Sequence, residues 1–155
     1  MKKDCDGMPV NTKPLFETFA EIREAIIKKL KEHESLEEIN DVIYGERRRI
    51  GSLRSPALWI VPEPYQPELR GGRTAQHDFT FNFVVLIKGN DPEESLKQAE
   101  RLAMTVYDVL VENRTLDGLV SDVRPLRVDP AYEGGKNTRL YWSSIQLAFR
   151  LQRRE

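Results

Sequence analysis

Cysteine and histidine, which build most metal sites and many nucleophilic ones, are nearly missing from this 155-residue chain: there is one cysteine, Cys5, and two histidines, His33 and His77. A lone cysteine excludes an internal disulfide and fits a reducing compartment. Zinc would need paired cysteines or a His-x-x-x-His spacing, and neither occurs. No apolar run approaches the roughly 20 residues of a membrane helix. The opening Met-Lys-Lys-Asp-Cys-Asp-Gly also lacks the hydrophobic centre of a signal peptide, so the chain reads as soluble and intracellular at synthesis. Excess charge is missing too: 24 basic residues face 25 acidic ones, for a net charge of −1. A general nucleic-acid binder would carry a clear basic excess. The pairs Gly71-Gly72 and Gly134-Gly135 lack the strand–loop–helix setting and the Lys-Ser/Thr ending of a phosphate loop. There is no Gly-x-Ser-x-Gly elbow. His77 beside Asp78 reads as a strand-edge pair rather than a catalytic dyad. No enzyme, metal or cofactor is expected.

What is present is regular. From Phe79 to Ile87 the odd positions Phe79, Phe81, Phe83, Val85 and Ile87 share one face of a strand. The opposite face, Thr80, Asn82, Val84 and Leu86, is polar at first and apolar near Lys88, which predicts burial only towards that end. Gly89-Asn90 breaks the strand. Asp91, Pro92 and Glu94 then supply a cap, a first helical residue and a capping-box partner. Leu96, Ala99, Leu102, Ala103, Val106 and Leu110 follow at helical spacing. A strand and a helix joined so tightly pack on each other and form the centre of the domain.

Around this centre, residues 1–13 read as a flexible arm and 14–155 as a single domain. A helix is expected from Pro14 to His33, with the stripe Leu15, Phe19, Ile22, Ile26 and Leu30 widened by Phe16 and Ile27. Its acidic residues lead and its basic ones follow, as suits the helix dipole. Val42–Tyr44 offers a short strand. Ala57–Val61 is a compact one, entered through Pro56 and ended by Pro62 and Pro64, which marks an edge or a terminus. Pro62–Gln76 is expected to be a long irregular loop, and such loops are usually functional or an insertion. A turn at Gly118 closes the second helix. A hairpin ends the chain: Val120–Asp129 should place Val120, Asp122, Arg124, Leu126 and Val128 on one face, with Pro125 at an edge or bulge. Leu140–Gln152 should turn Tyr141, Ser143, Ile145, Leu147, Phe149 and Leu151 to the core. The expected fold class is α+β: a mixed, mainly antiparallel sheet of about four to five strands with two main helices on one face.

Surface chemistry is concentrated in three basic loops: Arg47, Arg48 and Arg49 with Arg54; Arg70 with Arg73; and Lys136 with Arg139. Together with Tyr65 in the Pro62–Gln76 loop, these are the candidate interface residues. The guanidinium fork pairs bidentately with carboxylates, which suits protein assembly. Solvated loop charge is the plain alternative.

From about Pro14 to Arg150 the chain resembles the tail terminator (tail-completion) proteins of long-tailed bacteriophages. The resemblance lies in LFETFAEIREAIIKKL, then ALWIVPEP, then HDFTFNFVVLIKGNDPEES, RLAMTVYDVLVENRTLDGLVSDVRPLRVDP and the closing LYWSSIQLAFRLQ. It implies a ring subunit, commonly a hexamer, that caps the tail tube, ends its growth and joins it to the head connector. The implied location is the virion tail or neck, with host cytoplasm during assembly. The implied partners are further copies of the chain, the major tail tube protein and the head–tail connector, with DNA passing the lumen unread and no membrane. The family carries no catalytic residues to transfer. The chain departs from it in the 62–76 loop and the 46–54 segment. A neck or connector protein of the same virion is the alternative. A small ligand-binding domain or enzyme using His77, Asp78 and Arg73 is the rival from another class.

Overall fold

The computed structural model describes residues 13–45, 52–135 and 138–155. The elements in order are α1 (Leu15–Glu32), a single 3-10 turn (Glu34–Leu36), β1 (Asp41–Tyr44), β2 (Ala57–Glu63), β3 (Glu68–Leu69), β4 (Thr74–Lys88), α2 (Pro92–Val111), β5 (Asp122–Glu133) and β6 (Leu140–Arg154). The strands form one six-stranded sheet in the order β1-β2-β4-β6-β5, with β3 also pairing β4. Only the β1–β2 pair is parallel. The fold is therefore α+β with a mixed, mostly antiparallel sheet, and it has six strands rather than four to five. The additional strand is β3, whose two residues are too short to leave a periodic signal.

β4 and β6 are the backbone of the sheet, paired without interruption from Thr74↔Arg154 to Lys88↔Leu140. Phe79, Phe81, Phe83, Val85 and Ile87 on β4 join Tyr141, Ile145, Leu147 and Phe149 on β6 in the main core. Both helices cover this face. α1 contributes Ile22, Ile26 and Leu30, and α2 contributes Ala99, Leu102, Ala103, Val106, Val109 and Leu110. Phe19 fixes α1 to the strand, with its ring 5.2 Å from Phe79 and 5.7 Å from Phe81. Phe16, expected in the stripe, is instead 71% exposed. It stands off the Leu15, Phe19, Ile22, Ile26 and Leu30 stripe, although Leu15 in the same turn packs against the core.

The strand, the turn, the Asp91 cap and the helix form as the sequence predicts. The Asp91 carboxylate accepts from the Glu93 and Glu94 amides at 3.1 and 3.4 Å, and Pro92 occupies the first turn. Gly89 makes room for a close approach, because a Cβ there would lie 2.2 Å from the Ser95 hydroxyl and force it to turn away. On the helix-free face, Val84 and Leu86 join Ile43, Leu53, Ala57 and Leu140 in a second, smaller cluster against Trp59 and Trp142. This is the late burial that the even positions of β4 predicted.

Three expectations need correction. β4 begins at Thr74, ahead of the alternation read from Phe79, so His77 and Asp78 lie within the strand rather than at its edge. Pro62–Gln76 is only partly a loop: β2 runs on through Pro62 to Glu63, and β3 and the start of β4 take its other end. Pro62 is tolerated because β1 pairs only Ala57–Ile60, leaving β2 as an edge beyond that point. β5 continues past Asp129 to Glu133, and register shifts between Pro125 and Arg127 and between Asp129 and Tyr132 break its simple alternation. Asp122 and Arg124 face as expected, opposite Arg150 and Ala148, but Val128 falls opposite Ile145 on the helix side. The bulge at Leu126 reverses the alternation. No helix among the described residues is long and apolar enough to cross a membrane.

Candidate interaction surface

Strand alternation separates His77 from Asp78, which face opposite sides of β4 and cannot act as a pair. His77 lies on the helix side and is 2% exposed. Its Nε2 is 2.9 Å from the Glu155 carboxylate and its Nδ1 is 2.8 Å from the Tyr65 hydroxyl. A carboxylate can only accept, so Nε2 carries the proton and, in the neutral ring, Nδ1 accepts from the Tyr65 O–H. The ring also stacks on Phe79 at 5.9 Å. The bond from His77, helped by Arg153, holds the Glu155 carboxyl below its ordinary range. Burial raises the Tyr65 phenol. This is a latch: it ties the segment after β2 and the end of β6 to the first part of β4, and both ring nitrogens are used.

Asp78 faces the open side and meets Arg150, directly opposite on β6, at 2.9 Å. Burial would raise its carboxyl, but the Arg150 and Gln76 hydrogen bonds win and the carboxyl is lowered. Asp122, across from Arg150 on β5, is lowered by its hydrogen bond from Arg114. The polar half of the open face is thus an internally paired array of charge.

The candidate arginines separate into different roles. Arg54 is engaged within the chain: its guanidinium meets Asp41 at 2.8 Å and the Asn40 carbonyl at 3.1 Å, closing the segment between β1 and β2. Tyr65 belongs to the His77 latch. Arg70 pairs with Glu68 at 2.9 Å and bonds Gln76. Arg73 and Arg139 are exposed. Arg73 stands in the tight β3–β4 turn with Gly71 and Gly72, both at positive φ. Arg139 itself adopts φ +55°, and its carbonyl accepts the Gly89 amide at 3.0 Å. Arg47, Arg48, Arg49 and Lys136 lie outside the described residues. So does the expected arm, except for Lys13. The structure brings Arg70, Arg73 and Tyr65 to one end of β4 and places Arg54 and Arg139 elsewhere.

The features that the sequence did not single out are apolar. Leu126, Val128 and Tyr132 on β5 are 52%, 48% and 51% exposed, and Leu69 on β3 is 84% exposed. Among the described residues β5 is the last strand of the sheet and β3 pairs only with β4, so within that set each has an unpaired outer edge. Pro125 and Pro130 interrupt the β5 edge, leaving Leu126–Asp129 between them. Proline, bulges and charge are the ordinary means by which an edge is protected from indiscriminate pairing. Beside this edge a hollow of about 290 Å³ on the open face is lined by Trp59, Asn82, Val84, Tyr132 and Trp142. The Arg127–Asp129 ion pair, 2.7 Å long, lies at its side. Among the described residues, no group of three or more His, Cys, Asp or Glu side chains could hold a metal ion. No protein-family model matches the chain, and a search of curated proteins finds no match.

Proposed function

We infer that the chain is a structural subunit of a phage virion, a ring-forming tail terminator that caps the tail tube, ends its elongation and joins it to the head connector. One observation carries the assembly part of this reading. Among the described residues, each flank of the sheet presents an unpaired edge bearing exposed apolar side chains, Leu69 on β3 and Leu126, Val128 and Tyr132 on β5. Apolar side chains of this size on free edges are what an assembling subunit offers to its neighbours. The tail assignment rests on the sequence resemblance, whose successive phrases fall on α1, β2, β4 with the start of α2, the α2–β5 connection and β6.

The ring would pass DNA without reading it, and the internal pairing of Asp78, Arg150, Asp122 and Arg114 suits a face with no sequence to recognise. A neck protein one ring nearer the head is the second reading, and it uses the same edges. Size-exclusion chromatography with light scattering of the purified protein tests the assembly. A discrete multimer of fixed mass is the expected result. A strict monomer at every concentration, also in the presence of tail tubes, would refute it. Which ring it is follows from whether the protein co-sediments with tail tubes or with the head connector.

A further inference from the structure

The β5 edge carries opposite charges on either side of Val128. Among the described residues this edge is unpaired, and Pro125 and Pro130 bound the stretch that can take a partner. The Asp129 carbonyl turns inward, accepting from the Ser143 hydroxyl of β6 at 2.9 Å. Alternation along the strand then turns the Val128 amide and carbonyl to the free edge. Side chains alternate as well. Val128, opposite Ile145, is on the helix side and 48% exposed. Arg127 and Asp129, opposite Gln146 and Ser144, are on the open side.

We propose that two copies of the chain join β5 to β5 in antiparallel register, about a two-fold axis at Val128. The axis stands perpendicular to the sheet, so it reverses the strand and keeps both helix layers on one side. Val128 of each copy packs on Val128 of the other, and Leu126 of each falls beside Pro130 of the other. On the open side Arg127 of each copy lies opposite Asp129 of the other, which makes two cross-strand pairs of opposite sign. The Arg127–Asp129 pair within each strand, 2.7 Å long, is kept, so the four side chains close a cycle of alternating charge. Other registers lose this. Sliding by two residues either way sets Arg127 against Arg127 or Asp129 against Asp129. A parallel pair in register does both and turns the helix layers to opposite sides. A two-fold contact is closed and does not extend. The pair is therefore a state of the free subunit that covers its β5 edge, and it does not rest on the tail reading.

A residue on a two-fold axis meets itself, so a single cysteine reports the register. In the full chain carrying Cys5→Ser, Val128→Cys is oxidised with diamide. Opposed Cα atoms in an antiparallel pair are about 5.5 Å apart, within disulfide reach. A covalent dimer is expected, and far less from Leu69→Cys in the same background, although Leu69 is more exposed at 84%. Charge supplies the second arm. Adding Arg127→Asp or Asp129→Arg to the Val128→Cys chain sets like charges opposite each other and should lower the dimer yield about tenfold. Mixing these two variants makes both cross-strand pairs opposite in sign, so the mixed dimer, told apart by mass, should recover the yield. Circular dichroism checks that each variant folds. A Val128→Cys dimer no more abundant than that of Leu69→Cys, or one indifferent to both charge changes, would overturn the pair. Multimers of the parent trapped by a lysine cross-linker, without a 128–128 bond, would overturn it and leave the ring reading standing.

Discussion

Replacing His77 by Phe keeps a planar ring against Phe79 and Tyr65 and removes the hydrogen bonds to Tyr65 and Glu155. Both bonds are short, 2.8 and 2.9 Å, and the imidazole is 2% exposed. Net contributions run about 1 kcal/mol per bond, less where water competes. The Glu155 side chain is 40% exposed, so its share falls at the low end. The sum is about 1.5 kcal/mol, which for a chain of this size lowers the melting temperature by about 3–6 °C. The Glu155 carboxyl is lowered chiefly by its hydrogen bond with His77. A lowered carboxyl contributes stability that is fully present above its unfolded pKa of about 4.3 and is lost as pH falls through its folded value below that. The His77→Phe variant should therefore lose less stability than the parent between neutral pH and the acid limb. Thermal melts followed by circular dichroism at neutral and acid pH measure both effects. A variant as stable as the parent, with an unchanged acid limb, would refute the latch.

Other predictions follow from single contacts. Asp91→Ala removes the cap of α2 and should cost about 1 kcal/mol in urea unfolding; Asp91→Asn should recover most of it. Gly89→Ala forces a Cβ towards the Ser95 hydroxyl and should destabilise by about 1–3 kcal/mol, with Ser95→Ala restoring part, as a double-mutant cycle would register. A cycle on Asp78 and Arg150 should give a coupling of about 1 kcal/mol at neutral pH. The Asp78 carboxyl is lowered in the fold, so that contribution is fully present above its unfolded pKa of about 3.9 and should fade only as pH falls through the lower folded value. Phe81→Ala, at a position 0% exposed under Phe19 and Phe149, should cost about 3–5 kcal/mol.

The regular half of the chain was legible because its patterns are local. Period-two alternation in β4, the helical stripes of α1 and α2 and the Asp91–Pro92 cap need only neighbouring residues to be read. The β5 strand was not legible in the same way. Its bulges shift the alternation at Leu126, so Val128 leaves the face that plain alternation shares among Asp122, Arg124 and Val128. β3 is too short to have a period. The latch joins positions 65, 77 and 155, and Arg54 closes on Asp41. Such pairings depend on the three-dimensional path and leave no local trace. Arginine clusters were a poor guide to free surface because Arg54 and Arg70 find carboxylates inside their own chain. The exposed apolar edge residues became visible only once the strand order placed β5 and β3 on open edges.

Electron microscopy of the purified protein mixed with tail tubes of the same virion tests the central claim most directly. The account predicts closed rings, one seated on a single end of each tube, and tubes that no longer lengthen once capped. Tubes that keep growing in its presence while the protein stays monomeric would contradict it.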